Sequence, residues 1–182
     1  MNKDLKLLHA GCGTIYHEGW INLDINDTHK VDIKADILQT HFDENSFDAI
    51  YSCHSFEHLR FPEDAVEALT RYYRWLKPGG VLRISVPSLE IAVKAYVGGS
   101  SLKFLLGEDF KGYYHKDMPG DRLNYFIKAF DHQVCYDFPL LSSMFADAGF
   151  VDIRNRQPNE SLIPGFCHDR FIGGTIYIEA TK

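Results

Sequence analysis

Two short apolar runs, and the way each one stops, restrict this chain more than any other feature in it. Leu7-Leu-His-Ala10 runs into Gly11-Cys-Gly13, Trp20-Ile-Asn-Leu23 runs into Asp24, and only Thr14 to Gly19 joins the two. A strand that breaks at Gly-x-Gly, followed by a strand that ends on a carboxylate, is how a parallel α/β sheet forms a nucleotide-type pocket at its carboxyl edge. Glycine lets the backbone turn sharply and approach a ligand closely, because no Cβ intervenes. The carboxylate at the next strand end can accept both hydroxyl protons of a ribose. Gly-x-Gly alone also marks ordinary tight turns; Asp24 is what turns the reading toward a cofactor pocket.

The same stretch limits the architecture. A parallel crossover normally takes a dozen or more residues, usually including a helix. The link after Gly13 has no room for one, and the link Ile25 to Lys30, leading into Val31 to Asp36, is just as short. The strands add a second sign. Val31 to Ala35, Val81 to Val86 and Thr175 to Ala180 alternate apolar with polar residues, whereas parallel strands covered on both faces read as continuous apolar runs. The expectation is a sheet with one well-packed face and one thinly covered face beside its first strands.

Further along, Phe47 to Ser52 reads as a fourth strand, ending at Cys53-His-Ser-Phe-Glu-His58 on the pocket edge. Pro62-Glu-Asp opens a helix, since proline suits a first turn and acids favour the positive end of the dipole. Ala65, Leu69, Tyr72, Tyr73 and Leu76 form its apolar stripe, and Lys77-Pro-Gly-Gly80 stops it before a fifth strand, Val81 to Val86. Residues 88–136 fit no sheet element. Glu90 to Tyr96 and Leu102 to Leu106 read as helical and the rest as irregular, an insertion expected to hang over the pocket as a lid. Asp137 caps a helix with Pro139 in its first turn and Leu140, Leu141, Met144, Phe145 and Ala148 on its core side. Gly149 closes it. Phe150 to Arg156 and Thr175 to Thr181 read as an antiparallel pair.

With 182 residues the chain reads as one domain, 1–182, and a net charge of −6 argues against a nucleic-acid or anionic-membrane surface. Cys12, Cys53, Cys135 and Cys167 are scattered, without a Cys-x-x-Cys pair, a signal peptide or a long apolar span. They read as free thiols in a reducing cytoplasm.

Taken together, the chain resembles class I S-adenosylmethionine-dependent methyltransferases along nearly its whole length. Leu8-His-Ala-Gly-Cys-Gly13 is similar to their glycine loop, Trp20 to Asp24 to the ribose-binding strand end, and Ala35-Asp-Ile37 to the adenine-side acid. Ser46-Phe-Asp48 through Glu57-His-Leu59 resembles the segment beside the methyl donor, Trp75-Leu-Lys-Pro-Gly-Gly80 the turn before strand five, and Ala148-Gly-Phe150 the lead into strand six. The resemblance implies an α/β, Rossmann-like, seven-stranded, mostly parallel sheet of order 3-2-1-4-5-7-6 with the last strand antiparallel. It implies S-adenosyl-L-methionine as cofactor, with His9, Gly11, Cys12, Gly13, Asp24, Ile25, Asp36, Ile37, Cys53 and His54 around it. Three departures stand out: His9 where an acid is usual, Ile15 at the third glycine position, and no helix after the loop. All three resemble a compact subgroup with a Gly-Trp-Ile-Asn-Leu-Asp second strand and a His-x-x-x-Tyr-Asp segment, matched here by His132, Tyr136 and Asp137.

A dinucleotide would place its pyrophosphate on a helix N-terminus behind a third glycine; both are missing, so NAD is the lesser alternative. The expected reaction is methyl transfer to a small molecule, most readily O-methylation of a sugar or metabolite hydroxyl, with N-methylation open. A non-catalytic binding or scaffold protein on the same fold is the alternative that the altered glycine loop permits. His132, then His115, are the expected general bases, because imidazole titrates near neutral pH. Tyr113, Tyr114, Lys116, Arg122 and Tyr125 suit a polar or anionic acceptor such as a sugar phosphate, and equally an ordinary lid surface. His54 and His58 share the spacing of helical metal ligands, but no third ligand stands at a fixed distance, so the sequence assigns no metal. The thinly covered face suggests a homodimer, with no nucleic-acid or membrane partner.

Overall fold

The computed structural model describes residues 5–99, 113–114, 118–171 and 173–182. Its strands are β1 (Leu7–Ala10), β2 (Ile21–Asp24), β3 (Ile33–Lys34), β4 (Phe47–Cys53), β5 (Leu76–Pro87), β6 (Val151–Asn155) and β7 (Thr175–Thr181). They form one sheet of order β3-β2-β1-β4-β5-β7-β6, parallel except where β7 runs antiparallel to both β5 and β6. The helices are α1 (Glu63–Trp75), α2 (Leu89–Val97), α3 (Pro119–Lys128) and α4 (Phe138–Asp147). This is the expected strand order. Among the described residues, no helix is long and apolar enough to cross a membrane.

Side-chain alternation sorts the sheet into two layers. Leu8 and Ala10 of β1, Ile50 of β4, Leu82, Ile84 and Val86 of β5, and Ile176, Ile178 and Ala180 of β7 all point to one face. There they meet Ala65, Ala68, Leu69, Tyr72 and Trp75 of α1 and Leu141, Met144 and Phe145 of α4. Those α1 positions recur every three or four residues, so the apolar stripe of the helix faces the sheet along its length. α4 is set by its cap: the Asp137 carboxylate accepts the Leu140 N–H at 2.9 Å, satisfying a donor that the first turn leaves unpaired.

No helix joins Gly13 to Ile21, as the short link requires. The expectation of a thinly covered second face needs correction, however. Described residues of the loop between β6 and β7 lie over it: Ile163 and Phe166 pack with Trp20, Ala49, Tyr51, Cys53 and Val81. Polar residues of the alternating strands are buried here rather than solvated. The Arg83 side chain, fully buried, is paired with Asp169 and with Glu179 (3.2 Å), both also fully buried, and donates to the carbonyls of Glu160 and Gln157. Alternation therefore marks a polar layer sealed under a loop, and the argument for a second copy on a bare face loses its premise.

Other boundaries moved for local reasons. β3 is two residues long; just before it the Asp32 N–H donates to the Asn22 carbonyl at 2.9 Å, while the Asp32 carboxylate takes the Asn22 N–H and side-chain amide (2.8 and 3.0 Å). Lys77 to Gly80 lie within β5 rather than ending α1, since Leu76 already pairs with Phe47 across a bulge. The insertion carries a helix where the sequence pattern predicts irregular backbone, α3, which packs against α2; the predicted helix at Leu102 to Leu106 lies outside the described residues.

The sealed layer also holds a histidine stack. His9 is fully buried, its ring 4.4 Å from that of His17 and 5.3 Å from that of Tyr51, and His17 in turn lies 4.0 Å from His168. Burial, with the neighbouring imidazoles, holds His9 down to about 3 and His17 to about 4. The Asn22 side-chain oxygen faces His9, while Arg170 adds to the depression of His17. Both histidines fold neutral, and the unfolded chain binds their protons near pH 6.5. Their stabilisation is thus complete above that pH and is lost as the pH falls toward the folded values. By pH 5, His9 alone should cost about 2 kcal/mol. Thermal melting at pH 7.5 and pH 5 checks this: the melting temperature should drop, and an unchanged one contradicts it.

Candidate active site

The carboxyl ends of β1, β2, β3 and β4 surround a cavity of about 280 Å³. Gly11, Asp24, Ile25, Asp36 and Ile37 form one side, and Ser55, Phe56, His58, Leu59 and Arg60 the other, with Tyr72 of α1 between them. Gly11 adopts φ +70°, and a Cβ built on it would lie 1.9 Å from Ser55 Oγ. Backbone conformation and crowding both demand glycine there. Gly13, at φ +52°, would meet nothing within 4 Å.

Asp24, 8% exposed, ties this floor together. One carboxylate oxygen accepts the Gly13 N–H at 2.7 Å and the other the Asn26 N–H at 2.8 Å. Each oxygen keeps a further lone pair for a ligand. Asp36 uses one oxygen for the Leu38 N–H at 2.8 Å and faces the same cavity from the next strand end.

Five of the sequence-predicted cofactor positions, Gly11, Asp24, Ile25, Asp36 and Ile37, come together on this wall. The others do not line it. Cys12 is buried with its N–H on the Leu23 carbonyl, Cys53 and His9 belong to the sealed layer, and His54 directs Nε2 to Thr175 Oγ1 at 3.1 Å. Ser55, Arg60, Asp64 and Tyr72 were not singled out for the cavity. Asp64 reads as an ordinary first-turn acid and Tyr72 as part of a core stripe, yet both line the cavity.

His115, with Lys116, lies outside the described residues. His132 is described, and two backbone contacts at the neck of the insertion place it. Leu89 N–H donates to the Tyr136 carbonyl at 2.8 Å, and Gln133 N–H to the Glu57 carbonyl at 2.9 Å. His132 therefore lands on the segment that follows β4. Its Nδ1 donates to the Phe126 carbonyl at 3.3 Å, which leaves Nε2 unprotonated in the neutral ring, 3.9 Å from Glu57 Oε1. His54 Nδ1 approaches the same oxygen at 3.5 Å, and the His58 ring stands 5.0 Å from that of His132. Glu57 is 1% exposed, and no other described residue hydrogen-bonds either carboxyl oxygen. Burial lifts its pKa to about 8 and lowers His54 to about 4. Burial also lowers His58 and His132, whose proximity to each other adds to the effect on His132.

Residues 8–84 match the family model of a methyltransferase domain. No curated protein matches the chain. Among solved structures it is similar to an S-adenosylmethionine-dependent methyltransferase from Thermotoga maritima, at 15% identity and a TM-score of 0.61 over 98% of this chain and 82% of that one. It is similar to another from Archaeoglobus fulgidus (18%, TM-score 0.57, 98% and 86% covered). A third is phosphoethanolamine N-methyltransferase 2 of Haemonchus contortus in complex with S-adenosyl-L-methionine (14%, TM-score 0.56, 100% and 49% covered). At these identities the likeness shows the fold, and the seven-stranded order is the fold they share.

Proposed function

We propose, from the methyltransferase-domain match over residues 8–84 and the fold shared with S-adenosylmethionine-dependent methyltransferases, that this chain binds S-adenosyl-L-methionine at the carboxyl edge of its sheet and transfers the methyl group to a small-molecule acceptor. The domain match and the structural neighbours support an S-adenosylmethionine-dependent methyltransferase as the enzyme class. The observation that carries the site assignment is the cavity wall on which Asp24 and Asp36 stand together above Gly11. Asp24 takes the ribose hydroxyls, Asp36 with Ile37 the adenine side, and the Gly11–Gly13 bend the methionine side. No helix follows the bend to hold a pyrophosphate, which counts against a dinucleotide.

Methyl transfer is an in-line displacement at a carbon that positive sulfur already activates, so the work of the protein is alignment. The acceptor we favour is a sugar or metabolite hydroxyl, with a nitrogen acceptor second. It would approach from the insertion side, where Tyr113 and Tyr125 rings stand 5.0 Å apart. On that side His132 stands against Glu57 and beside His58, which lines the cavity, and Nε2 is the atom it has for a proton or another electrophile.

Calorimetry with S-adenosylmethionine and S-adenosylhomocysteine, followed by transfer of a labelled methyl group to panels of sugars, sugar phosphates and amines, tests this. Donor binding with a labelled hydroxyl product is the expected result. Donor binding without turnover on any panel would move the chain to the non-catalytic alternative, and no binding of either compound overturns the proposal.

A further inference from the structure

Glu57 poses a chemical problem that methyl transfer by itself does not answer. Its carboxyl group is buried, no other described residue hydrogen-bonds either oxygen, and the imidazoles of His54 and His132 stand 3.5 and 3.9 Å from Oε1 instead. An unpaired buried carboxylate is costly and normally has a hydrogen-bonded partner or a coordinated cation. One donor atom each from Glu57, His58 and His132 lie within 4.8 Å of one another. Ligands 2.0–2.1 Å from a common tetrahedral ion sit about 3.3 Å apart, so small side-chain rotations close the set.

His132 is also in the right state. The Phe126 carbonyl takes the Nδ1 proton of His132, which turns the Nε2 lone pair toward Glu57. A ligating imidazole typically donates its other N–H to a carbonyl or carboxylate, which fixes tautomer and orientation. The backbone of Phe130 and Asp131 lies beside the His58 ring and favours a proton on it. It belongs to a turn, Ala129–Asp131, in which Phe130 (φ 59°) and Asp131 (φ 63°) both adopt the left-handed region. His58 is exposed and lines the cavity, so an ion has a way in and keeps open positions on the cavity side.

We infer that Glu57, His58 and His132 form a binding site for a divalent first-row transition ion at the acceptor end of the cavity. Two imidazoles and one carboxylate are a donor set suited to zinc, manganese, iron(II) or cobalt rather than to calcium or magnesium, which favour all-oxygen sites. Ion binding itself is independent of the methyl donor. Its use in catalysis rests on the methyl-transfer reading. There a hydroxyl acceptor coordinated at an open position loses its proton to solvent. The oxygen then takes the methyl carbon as the carbon–sulfur bond breaks, and the bonding pair leaves with S-adenosylhomocysteine. His132 acts in this scheme as a ligand and not as a proton acceptor.

The test is titration of the chelator-treated chain with cobalt(II), followed by visible absorption, and with zinc by calorimetry, both without donor. One equivalent should bind, with d–d absorption showing nitrogen ligation. Glu57→Gln and His132→Ala should each weaken binding by at least tenfold, while His29→Ala, outside the cluster, leaves it unchanged. Thermal melting confirms that each variant is folded. Failure to bind either ion, or binding that both cluster variants retain, overturns the site. Because S-adenosylhomocysteine binding is measured separately on the metal-free chain, losing the ion and losing the donor are distinct results.

Discussion

An Asp24→Ala chain should bind S-adenosylhomocysteine about 100-fold more weakly than the parent chain, with most of the loss in enthalpy. The carboxylate stands at the cavity wall with one lone pair of each oxygen still open, and its other interactions hold the Gly13 and Asn26 N–H groups in place. Hydrogen bonds to a charged group contribute roughly 1.5–3 kcal/mol each. Two ribose hydroxyls, even at the lower figure, give about 3 kcal/mol, which is the stated hundredfold. Asp24→Asn keeps an acceptor and the shape of the loop but loses the charge, so its affinity should fall between the two. Calorimetry against S-adenosylhomocysteine measures both, and a thermal melt separates a vacated contact from a collapsed loop. If the folded alanine variant binds within fivefold of the parent, Asp24 does not hold the ribose.

The second large effect is on stability. Arg83→Met should destabilise the chain by about 3–5 kcal/mol, the usual range when one member of a buried ion pair is removed. Arg83 of β5 and Glu179 of β7 are buried together with Asp169 of the loop between β6 and β7. Glu179 keeps some help, because Arg156 Nε lies 3.3 Å from it and Ser161 Oγ and the Leu162 N–H donate to it. Asp169 keeps the Asn159 N–H at 2.6 Å and the weaker Tyr51 hydroxyl at 3.3 Å, but no ion-pair partner among the described residues. Most of the penalty should therefore be its own. Urea denaturation of Arg83→Met and of Arg83→Met with Asp169→Asn reads this directly: the double variant should recover part of the loss. A single variant within 1 kcal/mol of the parent would mean that water reaches the cluster.

These two residues show where reading the chain as a string succeeds and where it stops. Asp24 was legible because its meaning is local: an apolar run of fixed length, a terminal carboxylate and a preceding Gly-x-Gly reach the same edge once the strands are parallel. Arg83 was visible only as the polar member of an alternating strand. Alternation says which side chains share a face, because successive residues of a strand point to opposite sides. It carries no information on what lies over that face. A solvated layer and a layer sealed by a distant loop have the same pattern, so a covered face read as a thin one. His9 illustrates the same limit: its position beside the glycine loop suggested a cofactor contact, but the strand turns it to the opposite layer, where it stacks on His17.

By itself, the sequence determined the helix-free link after the glycine bend, the cap of α4 and the carboxylate at the end of β2, all of which follow from periodicity, link length and turn chemistry acting between near neighbours. The strand order and the place of Asp36 came through the resemblance of the whole chain to a known family. Tertiary structure alone decided that Ser55 crowds Gly11, that the loop between β6 and β7 lies over the Arg83 layer, and that His132 comes to rest on Glu57 and His58. The last contact depends on how the ends of the insertion are pinned, Leu89 to Tyr136 and Gln133 to Glu57, by backbone groups that every residue carries. Such bonds leave no mark on residue identity, and so the third corner of that cluster had no signature in the chain.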